Sequence, residues 1–489
     1  MRLQLTALIA VLVLHAECVH GDEFIQVCHF PAWGRERKNI AKFDVKDVNP
    51  ALCSHLVYAY ALIDVIKTTI RPVKPSVEEG RNGKFRELNN LKRQFPYLKT
   101  LLQVRALSRH DEEFFALTSD KATLKQLCVN ALDYLRQRDF DGISLDWRYY
   151  PLHARSRMDD SDEKNEDGDS GSDERRYTTS WRPTAYDSRS DDDDEASQYS
   201  TMKEQLTKLL SCLRYSFDQD TETPRLLLTI LAPVFPRAID GGFNVREIAN
   251  LVDYVYLKTF DFSQPGDKYV NFRSPVFASR DLARHSNLHI DYALGYWNKR
   301  GLPYNKMVPG LSGIGARHVL MSPSNHTPGS LATGAKLQGR YYEEIGGLAY
   351  PEVCEMLSDL SAKQYFSKEQ MTPYMVLGDN WVGYEDDNSL KWKKDWMKQK
   401  GVGGILFNYM DEDDFTGMMC QAGKYPLLTA LNSEDLEYMQ ERSRSSAAGP
   451  PGWFLTWPLW DVLDATPTMA CGWKLPIIIY AAVCCVFHV

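Results

Sequence analysis

The sequence predicts an α/β protein, a (β/α)8 TIM barrel with a small α+β insertion domain before the last strand. Eight short runs rich in β-branched and aromatic residues recur at wide intervals. Helix-like stretches lie between several of them, which indicates parallel strands joined by crossover helices. Eight such units in about 400 residues fit a closed barrel better than an open doubly wound sheet.

The predicted strands follow one another at this spacing along the chain. They are FIQVCHF, HLVYAYALI, KTLLQVRAL, GISLDW, RLLLTILAP, VDYVYLKTF, KMVPGLSG and GGILFNYM. The stretch KATLKQLCVNALDYLRQR predicts a helix before the fourth strand, because its apolar residues return every three or four positions. The segment from about 320 to 374 is too long for a loop and predicts the insertion. Ligands of such barrels bind at the carboxyl ends of the strands.

Both ends of the chain carry segments outside the barrel. Residues 1–21 join a basic residue to a short apolar run and small residues, which is typical of a secretory signal peptide; a hydrophobic anchor is the alternative. Residues 432–489 form a tail. Its last residues, 475–489, are apolar and follow small residues and a spacer, as in a GPI-attachment signal. A tail anchor and a nonfunctional terminus are the alternatives, so we expect an extracellular protein, either secreted or held at the cell surface.

The charge of the chain is concentrated in one segment. Asp159 to Glu195 contains 15 acidic and 5 basic residues, a local charge of −10, whereas the whole chain carries −8. The remainder is close to neutral and has no basic face, so nucleic-acid binding is not expected. Residues 159–198 are nearly free of aliphatic side chains and predict a disordered acidic insertion on the ligand side of the barrel. An acidic arm that binds a cation or a partner is the alternative.

Six cysteines lie in the predicted barrel, an even number that favours three disulfides in an oxidising compartment. Sequence alone leaves about 15 pairings open. The wide spacing argues against a zinc site. We expect neither a metal nor a cofactor.

Seven stretches together resemble animal chitinases of glycoside hydrolase family 18 in order and spacing. They are IQVCHFPAWG, CSHLVYAYALI, FDGISLDWRYYP, YLKTFDF, GGLAYPEVC, DNWVGYEDDNSL and GGILFNYMDEDDF. The resemblance covers roughly Glu23 to Leu431, so we assign residues 22–431 to the barrel domain. It implies the same barrel with its inserted α+β domain.

The resemblance fails at the position of the catalytic acid. In that family the fourth strand ends in Asp-Gly-x-Asp-x-Asp-Trp-Glu, and its Glu protonates the glycosidic oxygen while the substrate's N-acetyl group attacks. Here the four acidic positions are Asp141, Ser144, Asp146 and Arg148. A guanidinium has no proton to give at working pH, so we expect no catalytic residue. We expect Arg148 to point inward and pair with Asp146 and Asp261.

The resemblance also implies a sugar cleft lined by aromatic faces, most of which are replaced here. The eighth-strand Trp aligns with Asn408, Arg105 takes the place of the first Gly of the third-strand Gly-Gly-Trp, and Lys258 takes the place of a sixth-strand Met. Trp33 is retained, beside His29, which we interpret as a hydrogen-bonded barrel residue. Trp33, Asp146 and Asp261 are therefore the candidate substrate-binding residues. Trp147 and Trp381 are better explained as packing residues.

The resemblance further implies two of the disulfides. Cys28 would pair with Cys53, and Cys354 with Cys420. Cys128 and Cys212 lie on helices that flank the fourth strand, and we infer a third bridge between them. The sequon Asn325-His326-Thr327 is a candidate glycosylation site.

Together these features favour a catalytically inactive chitinase-like protein that acts by binding. The partner would be a glycan, such as a chitin-like oligosaccharide, or an extracellular protein, as for a lectin or growth factor. Contact with a membrane is expected only through a GPI anchor. An active hydrolase that combines Asp146 with a carboxylate of the acidic insertion is one alternative, and an inert structural or storage barrel is another.

Overall fold

The computed structural model describes residues 24–105, 116–147, 192–279 and 287–432, with only the backbone of 192–201. The expected signal peptide, the C-terminal tail, Arg148 and residues 159–191 of the acidic insertion lie outside the described residues. No helix within the described ranges has both the length and the apolar character needed to cross a membrane.

The described strands fall into two sheets. In chain order they are β1 (Ile25–Pro31), β2 (His55–Asp64), β3 (Thr69–Pro72), β4 (Lys99–Arg105), β5 (Gly142–Asp146), β6 (Leu227–Ala232), β7 (Tyr254–Leu257), β8 (Met307–Leu311), β9 (Gly315–Val319), β10 (Gly347–Leu348), β11 (Lys363–Ser367), β12 (Thr372–Leu377), β13 (Asn380–Gly383) and β14 (Gly404–Phe407). Eight of them form a parallel barrel in the order β1-β2-β4-β5-β6-β7-β8-β14, which the pairing of β14 with β1 closes. Each predicted run contains one barrel strand, so the predicted fold class is confirmed.

Helices surround the barrel between its strands. The described α-helices are α1 (Pro75–Glu78), α2 (Lys84–Asn89), α3 (Lys121–Gln137), α4 (Asp192–Asp218), α5 (Pro236–Gly242), α6 (Val245–Leu251), α7 (Ile290–Arg300), α8 (Tyr350–Leu357), α9 (Asp387–Lys400) and α10 (Pro426–Leu431). Helix α3 matches the predicted helix. Asp120 caps its first turn by accepting a hydrogen bond from the backbone of Thr123 at 2.7 Å.

Inside the barrel, apolar side chains lie beneath a polar upper layer. The apolar group consists of Ile25, Val27, Val57, Leu101, Leu231, Tyr256, Phe260, Val308 and Leu406. Gln103 of β4 is the register partner of Ser144 of β5, and two residues further on Arg105 is the partner of Asp146. Because alternate residues of a strand face the same side, both pairs face the barrel interior. The charged residues therefore occupy the carboxyl end of the barrel.

The insertion is an antiparallel sheet in the order β10-β9-β13-β12-β11, with α8 between β10 and β11. It extends from Gly315 to Gly383, beyond the expected 320–374 at both ends. Its first strand begins four residues after barrel strand β8 ends, so no long polar linker marks the boundary. Its core includes Phe272 from the loop after β7 and the buried Trp381. Trp147 is also fully buried, in the main core, so both tryptophans serve packing as expected.

Three disulfides tie these elements together. They join Cys28 to Cys53, Cys128 to Cys212 and Cys354 to Cys420, which are the expected pairs. The second connects α3 to α4 across the segment that contains β5. The acidic insertion differs from the expectation at its end, because α4 begins at Asp192 rather than after residue 198.

Candidate functional site

A buried carboxylate lies between two cations at the carboxyl ends of the barrel strands. Asp146, the last residue of β5, has a fully buried side chain. Arg105 Nε donates to Asp146 Oδ2 at 3.1 Å, and Lys258 Nζ donates to Asp146 Oδ1 at 3.3 Å. Strand register accounts for the first contact, since Arg105 and Asp146 are paired residues of β4 and β5. Lys258 directly follows β7.

The side chains of both cations remain partly exposed. The side chain of Arg105 is 17% exposed and that of Lys258 is 11% exposed. The Arg105 guanidinium lies over the ring of Tyr60, 3.6 Å from its centroid. This contact holds the guanidinium plane in one orientation and adds a cation–π attraction. Its remaining N–H groups are thus fixed in direction.

His29 lies beside this cluster as a neutral residue. Its Nδ1 is 2.8 Å from Asn408 Oδ1, which assigns the ring proton to Nδ1, because an amide oxygen only accepts. Burial lowers the pKa of His29 to about 4, although the hydrogen bond with Asn408 and the charge of Asp146 act in the opposite direction. The interpretation of His29 as a hydrogen-bonded barrel residue is therefore confirmed. At neutral pH it has no proton to supply as a general acid.

Several buried polar atoms in this part of the barrel have no hydrogen-bond partner among the described residues. They are His29 Nε2, Ser144 Oγ and both side-chain amide atoms of Gln103. Gln103 and Ser144 are register partners one layer below Arg105 and Asp146. Buried polar groups of this kind normally bind ordered water. The polar layer thus continues below the ion pairs.

Trp33 stands at the edge of the same face with two tyrosines. It is half-buried, and its ring contacts the ring of Tyr409 edge-on with centroids 4.8 Å apart. The ring centroid of Tyr60 lies 6.2 Å away. The ring of Tyr60 also contacts the guanidinium of Arg105. These contacts therefore connect Trp33 to the charged cluster. Trp33, a candidate substrate-binding residue whose retention packing would also explain, therefore lies at the strand ends.

The other predicted site residues lie apart from this cluster or outside the described residues. Asp141 precedes β5 at the opposite end of the strand, where it accepts a hydrogen bond from the backbone of Thr100 at 2.8 Å and pairs with Lys92 at 3.1 Å. Asp141 therefore serves strand alignment. Asp261 is half-buried on the loop after β7, and its backbone oxygen accepts from Gln264 Nε2 at 2.9 Å. Arg148 is not among the described residues, and the cations seen on Asp146 are Arg105 and Lys258.

The acidic residues after β14 have structural partners. Asp411 lies 2.6 Å from Arg37 Nη1, and burial raises its pKa to about 6. Asp413 accepts hydrogen bonds from the backbone of Leu427 and Leu428 and so caps α10. Asp414 binds three backbone N–H groups, those of Gly417, Met419 and Cys420. The described ranges contain no group of three or more His, Cys, Asp or Glu side chains that could hold a metal ion.

Sequence reasoning treated Arg105, Lys258 and Asn408 one at a time, as replacements of a Gly, a Met and a Trp. It missed that Arg105 and Lys258 converge on one carboxylate and that Asn408 orients His29. The sequence did contain a signal for this convergence. Arg105 lies two residues after Gln103, and Lys258 lies two residues after Tyr256, so the alternation along each strand places both cations on the inward face. Tyr60 and Tyr409 were missed altogether.

The chain is similar to known proteins over most of its length. The sequence profile described as Glycosyl hydrolases family 18 matches residues 25–413. Chitotriosidase-1 of Mus musculus is 29% identical over 423 residues, covering 86% of this chain and 79% of that protein. Chitinase-3-like protein 2 of Homo sapiens is 28% identical over 414 residues, covering 84% of this chain and 92% of that protein.

Solved structures with the same fold include an active and an inactive protein. An immunomodulatory active chitinase from Trichuris suis superposes with a TM-score of 0.68 at 25% identity, covering 84% of this chain and 99% of that one. Human YKL-39, described as a pseudo-chitinase with retained chitooligosaccharide binding properties, superposes with a TM-score of 0.67 at 28% identity, covering 83% and 98%.

Proposed function

Because the chain belongs to glycosyl hydrolases family 18, we propose that it is a chitinase-like protein without hydrolytic activity that binds an oligosaccharide outside the cell. Similar proteins of known name include both chitinases and a pseudo-chitinase. The residues of this chain favour the kind without hydrolytic activity.

The observation that carries the proposal is the state of Asp146. Arg105 and Lys258 contact opposite oxygens of this buried carboxylate. A carboxylate whose two oxygens are both held by cations is not placed to protonate a leaving oxygen. Arg148 stands where the resemblance places the general acid, and losing that group lowers rates by about 10²- to 10⁴-fold.

Retained aromatic residues at the strand ends support a binding role. Trp33 and Tyr60 are half-buried beside the charged cluster, so part of each remains accessible from the ligand side of the barrel. A solved relative, human YKL-39, is described as keeping chitooligosaccharide binding as a pseudo-chitinase. A glycan partner is therefore favoured over the extracellular protein partner that the sequence also allows.

An extracellular location belongs to the same proposal. Three disulfides are expected in an oxidising compartment rather than in the cytosol. Asn325, the sequon asparagine, is exposed on the insertion and accessible to glycosylation. Residues 1–21 would direct secretion, and the tail would carry a GPI anchor.

Calorimetry with N-acetylglucosamine oligomers, together with a hydrolysis assay on the same purified protein, tests the proposal. We expect saturable binding without turnover. Trp33→Ala should weaken binding about tenfold or more if the ring is a principal contact. Tyr215→Ala, which removes a 64% exposed ring on α4, should leave the affinity unchanged.

Other outcomes would identify the alternatives. Turnover that Asp146→Asn abolishes would establish an active hydrolase. The absence of both binding and turnover would contradict glycan binding and favour a protein partner or an inert barrel.

A further inference from the structure

The cluster around Asp146 contains more cations than anions. Among the described residues, the cations Arg105 and Lys258 contact the anion Asp146, and the neutral His29 lies beside them. Asp146 is the one described carboxylate in contact with these two cations, so they share a single anion there.

Both head groups also keep unused hydrogen-bond donors. A guanidinium has five N–H groups and an ammonium has three. Within the part of the chain that the structure describes, Asp146 is the one side-chain acceptor for either head group. Arg105 uses its Nε for this bond, so the edge formed by Nη1 and Nη2 is left for another acceptor. Such an edge fits a carboxylate or sulfate with two parallel hydrogen bonds.

The donors are fixed in position and accessible. The ring of Tyr60 holds one face of the Arg105 guanidinium, and Asp146 holds both cations from within the barrel. Side-chain exposures of 17% and 11% leave part of each cationic side chain accessible at the carboxyl ends of the strands. The arrangement is a pre-organised receptor for an oxyanion, since little side-chain entropy remains to be lost on binding.

We propose that the oligosaccharide bound at the strand ends is acidic, and that its carboxylate or sulfate group pairs with Arg105 and Lys258. This inference rests on the proposed function and names its ligand class. A neutral sugar would displace water from the two cations without supplying a charge in return, which is unfavourable. An acidic sugar compensates for that loss with charge-assisted hydrogen bonds. Trp33 would contact a neighbouring ring of the same chain of sugars.

The test compares three hexasaccharides by calorimetry with the purified protein. The N-acetylglucosamine hexamer is neutral, a hyaluronan hexasaccharide of equal length carries carboxylates, and a heparin hexasaccharide carries both carboxylates and sulfates. We expect at least one acidic hexasaccharide to bind about tenfold or more tightly than the neutral one at low salt. The advantage should shrink as salt is added, because the interaction is between charges. Tighter binding of hyaluronan would identify a carboxylate, and of heparin alone a sulfate.

Charge-removing variants locate the contact. Lys258→Gln and Arg105→Gln should each weaken acidic binding about tenfold, and each leaves Asp146 paired with the other cation, so the fold should persist. Lys391→Gln, which removes an exposed lysine on α9, is the matched control and should have no effect. Asp146→Asn removes the competing anion and should strengthen acidic binding, an effect that a purely structural role would not produce.

The outcomes separate this inference from the proposed function. Equal affinity for the neutral and acidic hexasaccharides would overturn the inference and leave glycan binding intact. Acidic binding that Lys258→Gln and Arg105→Gln do not change would place the contact elsewhere and also overturn it. No binding of any hexasaccharide would overturn both.

Discussion

Replacing Asp146 by Asn should destabilise the protein far more than the same replacement of an exposed aspartate that also contacts two cations. The substitution keeps the shape of the side chain and removes its charge. It leaves Arg105 and Lys258, whose nitrogens lie 3.1 and 3.3 Å from the carboxylate, facing each other without an anion. Asp218 is the matched control, because Arg214 and Arg225 contact it at 2.9 and 3.3 Å while its side chain is 45% exposed.

The distances and burial set the expected magnitude. At an effective dielectric constant of about 20, each contact is worth about 5 kcal/mol of Coulomb energy. Most of that offsets desolvation, and breaking a buried pair has a net effect of about 3 to 5 kcal/mol. Both cations reach solvent in part, so we expect the lower end, about 3 kcal/mol. Asp218→Asn should change stability by less than about 1 kcal/mol.

Denaturant unfolding of the wild type and both variants measures the difference. The double variant Asp146→Asn/Lys258→Met should recover part of the loss, because it also removes one unpaired cation. Equal effects of Asp146→Asn and Asp218→Asn would refute the reasoning, since burial would then not determine the strength of the cluster.

Two further predictions concern stability. Burial raises the pKa of Asp411 from 3.8 to about 6 in the folded protein, against the opposing charge of Arg37, so the folded state binds more protons than the unfolded state between these values. The contribution of Asp411 to stability should therefore fall by up to about 3 kcal/mol as pH rises from 4 to 6. Asp411→Asn should make the slope in pH-dependent unfolding smaller without removing it, because burial also raises the pKa of Asp413, to about 7; an unchanged slope would contradict the assignment. Cys354 and Cys420 are 66 residues apart, and their replacement by serine should lower the unfolding free energy by about 4 kcal/mol through loop entropy. An unchanged melting temperature in that variant would show that the bridge does not constrain the unfolded chain.

The barrel could be predicted from the sequence because each strand is encoded locally. Eight apolar runs and the periodicity of α3 are properties of neighbouring residues, and all eight runs contain barrel strands. The resemblance supplied two of the disulfide pairs, and the two helices expected beside the fourth strand supplied the third. The start of α4 could not be predicted from composition. The helix has a buried apolar face from Met202 to Phe217, but its backbone begins earlier, among acidic residues whose composition predicts disorder.

The charged cluster could not be read in the same way, because its members are distant in the chain. Arg105 and Asp146 are separated by 41 residues, and Asp146 and Lys258 by 112. His29 and Asn408, which share a hydrogen bond, are separated by 379. Strand register brings each pair together, and register depends on the closed sheet rather than on any local pattern. The sequence therefore identified the changed positions but not the charged cluster that they form in the folded barrel.

The Cys128–Cys212 disulfide has a consequence for how the protein withstands proteolysis. These cysteines lie on either side of β5 and of the whole acidic segment in the chain. A peptide bond cut anywhere between them would produce two polypeptides that stay covalently joined, with β5 retained in the same molecule. Cleavage there would be visible only after reduction, and a processed form of this protein would migrate as the intact chain until its disulfides were opened.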